Sequence, residues 1–145
     1  MQAIKNLYEH LPAIRLDENL PFRRPLSLAE SGSQDRKIAL PTMEGINFER
    51  LRDIISLEAQ GNYTMLYFTK KRKLLVCKTL RDMEKQIRSG SQFVRIHRSH
   101  TINLDHLQKY VKGKGGHVVM ENHMTISVSA GKKPAFLDAL KMYFG

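Results

Sequence analysis

The sequence contains one cysteine, no tryptophan and no long apolar run. Because Cys77 has no second cysteine with which to form an internal disulfide, we expect a cytoplasmic protein. No stretch approaches the length of a membrane-spanning helix, and the N-terminus lacks the basic-then-apolar order of a signal peptide, so no membrane partner is expected. The 145 residues, 41% of them hydrophobic and 26% charged, are typical of one ordinary domain with an appendage.

Acidic residues are also few, with 14 Asp and Glu against 24 Lys and Arg, which gives a net charge of +10. Residues 1–45 hold six residues of each sign, whereas residues 46–145 hold eighteen basic and eight acidic residues, 18 − 8 = +10. The surplus therefore lies entirely in the second part. It favours a polyanionic partner, most commonly nucleic acid, although a merely basic surface would give the same count.

The composition changes at about Arg36. Residues 1–36 are interrupted by prolines and by the stretch SGSQD, which is typical of a leader or linker. Over residues 37–145, short β-branched and aromatic runs such as YTMLYFT and HVVMEN recur, often with period two, between turn signals. This pattern predicts a mainly β domain over residues 37–145.

One short helix in the middle of this domain and one at its C-terminus are predicted. Thr79 can cap the first, in KTLRDMEKQIRSG, and Gly90 can end it. Pro134 suits the first turn of the second, in KKPAFLDALKMYF. Apolar residues at helical spacing support both, namely Leu80, Met83 and Ile87 in the first and Phe136, Leu137, Leu140 and Phe144 in the second.

The stretch FVRIHRSHTINLDHL, residues 93–107, loses its apolar alternation for five consecutive hydrogen-bonding residues and then resumes it. A loop that only turned the chain would use Gly, Asn, Asp or Pro. The fork of Arg98 can bind guanine O6 and N7 or a phosphate, with an ion pair to Asp105 as the alternative. Short donors that could hold phosphates follow it: Ser99, His100 and Thr101.

Two further residues of this stretch, His97 at the start of the five and Arg95 before them, have competing interpretations. His97 ends a predicted strand, so a packed, hydrogen-bonded histidine is favoured over a DNA contact. Arg95 alternates with apolar neighbours and is either a DNA contact or a solvated strand residue. A metal site at His97, His100 and His106 lacks cysteine or carboxylate ligands at suitable spacing, and a catalytic triad of Ser99, His97 and Asp105 lacks its usual loop context. We therefore expect no catalytic residues, no metal and no cofactor.

Other basic or turn-forming stretches offer further candidates. Lys71 and Arg72 lie in TKKRK, which is either a phosphate-binding or a solvated hairpin tip. Lys132 and Lys133 suit phosphates, since lysine is a point charge. Gly61 and Asn62 can supply the positive φ of a tight turn. The stretch KGKGG, residues 112–116, is interpreted as a flexible hairpin turn.

Four blocks of the sequence, in the same order and spacing, resemble the LytTR-type DNA-binding domain of bacterial transcriptional regulators: ISLEAQGNYTMLYF, LLVCKTLRDMEKQI, FVRIHRSHTINLDHL and ISVSAGKK. The resemblance covers roughly residues 37–143. It implies an elongated stack of small antiparallel sheets, whose loops read successive major grooves of a direct-repeat duplex site. It also implies a homodimer on DNA and a receiver or sensor domain, which we do not find in this chain.

The resemblance adds expectations for individual residues. The position of Thr64 lies in a DNA-reaching loop of the family, beside Asn62, whereas Tyr63 is expected in the core. Many family members carry a base-reading arginine in the loop that here reads SAGKK, where this sequence has Ala130 and Gly131. Base reading from this loop is therefore in doubt, and Ser129 remains a candidate for DNA contact together with the lysines that follow it.

Three functional classes compete. The first is a sequence-specific duplex-DNA-binding transcriptional regulator. The second is a single-stranded nucleic-acid or RNA-binding β domain, although the chain has only five Tyr and six Phe for base stacking. The third is an interaction or enzyme domain with an incidental basic charge. Salt-dependent binding to duplex and to single-stranded probes separates the three.

Overall fold

A computed structural model describes residues 35–87 and 92–145. The predicted leader, apart from its last two residues, and the predicted helix end at Gly90 lie outside the described residues. The described part contains ten strands, two α-helices and two short 3-10 turns. The strands are β1 Lys37–Thr42, β2 Gly45–Arg50, β3 Ile54–Gln60, β4 Tyr63–Phe68, β5 Lys73–Val76, β6 Phe93–His97, β7 His100–Asn103, β8 Leu107–Val111, β9 His117–Met120 and β10 Thr125–Ser127; the helices are α1 Leu80–Ile87 and α2 Lys133–Phe144.

All strand pairs are antiparallel, and they form three sheets of two, three and five strands. The largest sheet has the order β5-β4-β3-β7-β6, so β3 lies at its centre. Gln60 pairs with Tyr63, which leaves a two-residue turn between β3 and β4. Gly61 has a φ of 63°, whereas Asn62 is not among the positive-φ residues, so only the first of these turn positions requires glycine.

Two apolar cores lie on either side of the large sheet. The alternation of β3 shows this directly, because Ile54 belongs to one core and Ile55 to the other. The first core includes residues of β1, β4 and α1, and the second includes residues of β6, β7, β9, β10 and α2. The buried Asn103 supports the β7 end, where its Nδ2 donates to the Ile54 carbonyl oxygen at 2.8 Å and its Oδ1 accepts from the Asp105 amide at 2.9 Å.

The predicted fold class is confirmed: the described chain is mainly β, with small antiparallel sheets and two helices. Thr79 caps α1, because its Oγ1 accepts from the Asp82 amide at 3.1 Å. The predicted apolar stripe of α2 is wrong in part, since Leu137 and Phe144 are exposed while Phe136 is buried. Leu140 packs beside Phe136 as predicted, and Ala139 and Tyr143 join them in place of Leu137 and Phe144. Among the described residues, no helix is long and apolar enough to cross a membrane.

Candidate nucleic-acid interface

Three loops meet at one end of the large sheet. The β3–β4 and β6–β7 turns lie at this end because β3 and β7 are antiparallel neighbours, and the Ala59 amide donates to the Ser99 carbonyl oxygen at 2.8 Å. The loop between β10 and α2 joins them, since the Ser129 amide donates to the Ile96 carbonyl oxygen at 2.9 Å. The surface formed by these three loops is called the loop surface below.

Arg98 lies at the tip of the β6–β7 hairpin, and its side chain is exposed. Its guanidinium makes no hydrogen bond or ion pair with the residues that the structure describes. The alternative partner Asp105 instead accepts a hydrogen bond from the Tyr143 hydroxyl. The turn is also shorter than the sequence suggested, because His97 pairs with His100 and leaves only Arg98 and Ser99 between the strands. The fork of Arg98 therefore projects from a short, paired hairpin with its donors available to a ligand.

The polar residues around Arg98 form a network among themselves. The Ser99 hydroxyl lies 3.0 Å from Nδ1 of His97 and 3.2 Å from Nδ1 of His100, and the Ser99 amide donates to Nδ1 of His97 at 3.2 Å. Nε2 of His100 faces a carboxylate oxygen of Glu58 at 3.8 Å, and the Tyr67 hydroxyl donates to the other oxygen at 2.9 Å. These contacts support the packed interpretation of His97 and make Ser99 and His100 structural supports of the turn.

Burial lowers the pKa of His100 from its ordinary value of 6.5, the carboxylate of Glu58 opposes this shift and His97 adds to it. Burial and the hydrogen bond to Glu58 raise the pKa of the Tyr67 hydroxyl. The His100 imidazole is therefore harder to protonate than that of a free histidine, whereas the guanidinium of Arg98 gives this hairpin tip a permanent positive charge.

Arg95 points back into the protein rather than out to a ligand. Its Nε donates to the His97 carbonyl oxygen at 3.0 Å, its Nη2 to the Arg98 carbonyl oxygen at 2.9 Å and its Nη1 to Oε1 of Glu84 at 2.8 Å. Arg95 is therefore bonded within the protein rather than freely solvated, although 29% of its side chain is exposed and two of its five N–H donors are left, so a DNA contact by Arg95 stays a prediction. Thr101 was also expected in the loop, but it is buried and its hydroxyl donates to Oε2 of Glu84 at 2.7 Å.

The β3–β4 turn contributes Asn62, which is exposed at the tip. Two expectations for the neighbouring residues need correction. Tyr63 was expected in the core but is 40% exposed, because it is the first residue of β4 after the turn. Thr64 was expected to reach DNA but is fully buried, and its hydroxyl donates to the Lys78 carbonyl oxygen at 2.8 Å. The side chain of Thr64 therefore holds the segment that follows β5 and offers no surface to a ligand.

The loop between β10 and α2 places Ser129 against β6 and Lys132 in solvent. The amides of Lys132 and Lys133 both donate to the Ser129 carbonyl oxygen at 3.0 Å, so the loop is a tight turn into α2. Nζ of Lys133 donates to the Gly113 carbonyl oxygen at 3.4 Å, a long bond between exposed groups. Among the described residues of this loop, Lys132 is thus the lysine whose ammonium group makes no hydrogen bond or ion pair.

Two lysines that sequence reasoning did not select join the loop surface. The Val128 amide donates to the Gly116 carbonyl oxygen at 2.9 Å, which brings the β8–β9 turn beside the loop that starts at Ser129. Lys112 and Lys114 lie in this turn and are exposed. The sequence pattern indicated only a hairpin turn here, because the proximity of these lysines to Lys132 depends on the β9–β10 register, which the pattern did not reveal.

Lys71 and Arg72 do not belong to this surface. They lie in the β4–β5 turn, which is separated from the β3–β4 turn by the whole length of β4, roughly 17–20 Å. Both terminal nitrogens of Arg72 donate to the carboxylate of Glu49, at 3.0 and 3.3 Å, and the guanidinium lies 4.7 Å from the ring centroid of Phe68. The hydrogen bond to Glu49 raises the pKa of Arg72. Arg72 is therefore a structural residue of the opposite end.

Comparison with known proteins identifies the family. The model of the LytTr DNA-binding domain matches residues 44–141, which is more than half of the chain. The chain belongs to the LytTr DNA-binding domain family. Membership in this family supports a DNA-binding regulator and fits a protein that is not an enzyme.

A solved structure agrees with this assignment at the level of the fold. It is the LytTr DNA-binding domain of a Bacillus cereus protein described as a methyl-accepting/DNA response regulator. The match has a TM-score of 0.62 at 20% identity and covers 72% of this chain and 96% of that chain. A comparison with curated proteins returned no significant match. The LytTr family assignment thus depends on the family model, and the structural match supports the arrangement of sheets.

Proposed function

We propose that the chain is a sequence-specific transcriptional regulator, in which the loop surface binds duplex DNA and reads bases in the major groove. The observation that carries this proposal is the meeting of three loops at one end of the sheet, with the exposed guanidinium of Arg98 at the centre and the exposed Lys132 at one side. A major groove about 12 Å wide admits a protruding hairpin tip as readily as a helix.

The residues of the loop surface divide into two chemical roles. The planar fork of Arg98 can match the two acceptors of guanine, which gives sequence preference. Lysine ammonium groups meet any phosphate oxygen equally well, so Lys132, Lys112 and Lys114 supply affinity and register rather than preference. Asn62 at the neighbouring turn is placed to reach a phosphate or a base edge on the same side of the duplex.

The remaining parts of the proposal follow from family resemblance. A direct-repeat site would be bound by two copies of the domain, and a receiver or sensor domain would supply the input signal. The Bacillus cereus neighbour is described as a response regulator, and by analogy we propose the same type of regulation for this chain. A DNA target also supports a cytoplasmic location.

Selection of bound sequences from a random duplex pool tests the proposal, followed by titration of the recovered duplex and its separated strands. We expect one enriched motif and tighter binding to the duplex. Equal or tighter binding to the single strand would favour the single-stranded nucleic-acid alternative, for which the exposed Tyr63 ring is a stacking candidate. Absence of any salt-dependent binding would contradict both.

A further inference from the structure

The backbone of the Arg98 turn is held by a second arginine. Arg95 uses all three of its guanidinium nitrogens, two on carbonyl oxygens of the turn and one on a carboxylate of helix α1. One of these carbonyl groups belongs to Arg98 itself. Because five fixed donors lie in one plane, a guanidinium that bridges two successive loop carbonyls restricts the orientation of the peptide between them.

Glu84 of α1 completes this support. One oxygen of its carboxylate accepts from Arg95 in β6, and the other accepts from the hydroxyl of Thr101 in β7, at 2.8 and 2.7 Å. Arg95 and Thr101 are cross-strand partners in the hairpin. A single carboxylate thus ties both strands to the helix directly below the tip, and about a quarter of its side-chain surface remains exposed.

We infer that Arg95 and Glu84 are positioning residues, which set the direction of the Arg98 side chain for base recognition without contacting the bases. The inference rests on the proposed function, since it assigns to Arg98 a ligand that needs a defined approach. A bidentate contact with a base requires the guanidinium fork to lie in the plane of that base. A hairpin tip that rotates freely would therefore still contact phosphates but would lose its preference for one base sequence.

The first test uses Arg95→Lys, which keeps the positive charge beside Glu84 and removes the planar fork. We expect a loss of about tenfold in affinity for the selected duplex, equivalent to one charge-assisted hydrogen bond, and a much smaller loss for an unrelated duplex. Arg50→Lys is the matched control, because Arg50 is exposed and precedes the start of β3, at the end opposite the loop surface. Equal losses on both duplexes would overturn the inference.

The second test uses Glu84→Gln, with and without Arg98→Ala. If Glu84 acts through Arg98, Glu84→Gln lowers the preference for the selected duplex over an unrelated duplex when Arg98 is present. It has no further effect on that preference in the Arg98→Ala background. The same loss in both backgrounds would show that Glu84 acts on general stability, and would overturn the inference.

A third readout does not require DNA, which separates this inference from the proposed function. Hydrogen exchange of the Ser99 amide, which is bonded to His97, reports the order of the turn. We expect faster exchange in Arg95→Lys and Glu84→Gln and unchanged exchange in Arg50→Lys. Unchanged exchange in the first two variants would refute the positioning role, whether or not the wild-type protein prefers one duplex.

Discussion

The amide of Ser129 donates a hydrogen bond to the carbonyl oxygen of Ile96 at 2.9 Å. Ile96 lies two residues before Arg98, and Ser129 lies three residues before Lys132. This bond therefore brings together the loops that carry a candidate base reader and a candidate phosphate contact, which are far apart in the sequence. Because Ile96 is fully buried, the bond is anchored to the second apolar core and not to a mobile surface.

Lys132→Ala should weaken binding to all duplexes by a similar factor. An ammonium released from a phosphate allows one counterion to return, so the slope of log affinity against log salt should become less steep by about one unit from a wild-type slope of roughly −4 to −8. Titrations at several salt concentrations measure both quantities. Lys71→Ala is the matched control and should leave the slope unchanged, because Lys71 lies at the opposite end of β4. An unchanged slope in Lys132→Ala would remove this residue from the interface.

Thr64→Val should lower stability without altering the preferred sequence. The substitution keeps the shape of the side chain but removes the hydroxyl that donates to the Lys78 carbonyl oxygen, so we expect a loss of about 1–2 kcal/mol in the free energy of unfolding. Urea denaturation measures this loss. Thr125→Val, at an exposed position of β10, should change stability by less than about 0.5 kcal/mol. A changed base preference in Thr64→Val, with the fold intact, would return Thr64 to the interface.

Stability should fall when the pH is lowered through the range in which His100 is protonated in the unfolded chain. The unfolded chain takes up this proton near the ordinary pKa of 6.5, whereas burial lowers the pKa in the folded state. Protons therefore bind preferentially to the unfolded chain below that value, and the contribution is fully present only above it. His100→Gln should show a smaller difference in unfolding free energy between about pH 7.5 and about pH 5.5. An equal difference in both proteins would show that His100 does not contribute.

Deletion of residues 1–34 should leave specific DNA affinity within a few fold. This segment holds four basic and four acidic residues, so it adds no net attraction to a polyanion. Binding of the shortened protein to the selected duplex, with circular dichroism to show that the β domain remains folded, measures the effect. A large loss of affinity by a folded domain would show that the domain boundary at residue 36 is misplaced.

The sequence predicted the elements of the fold well because each has a local signal. The cap at Thr79, the glycine turn at Gly61 and the period-two strands are determined by neighbouring residues, and all appear in the structure. The family resemblance also ordered the loops correctly along the chain. The sequence did not show which loops meet at one end of the sheet, because that depends on strand register.

The exposure and the hydrogen-bond partners of individual polar side chains were predicted less well. Thr101 belongs to the polar run that indicates a ligand and Arg95 lies just before it, but both are bound to Glu84, which lies in a separate helix. The Arg72 fork similarly binds Glu49 from another hairpin. Long-range partners of this kind are not visible in local patterns. Arg98 is the residue of the run for which the expectation of an exposed donor agrees with the structure.

The most direct test of base reading by Arg98 is the sequence preference of Arg98→Ala. We expect a loss of about 1–3 kcal/mol on the selected duplex, a much smaller loss on unrelated DNA and relaxed preference at one base pair, with thermal stability close to that of the wild type. Competition titrations against duplexes substituted one base pair at a time measure this preference, and Arg50→Ala is the matched control. A fall of several degrees in melting temperature with an unchanged preferred sequence would contradict base reading by Arg98, since Arg98 would then be a structural residue.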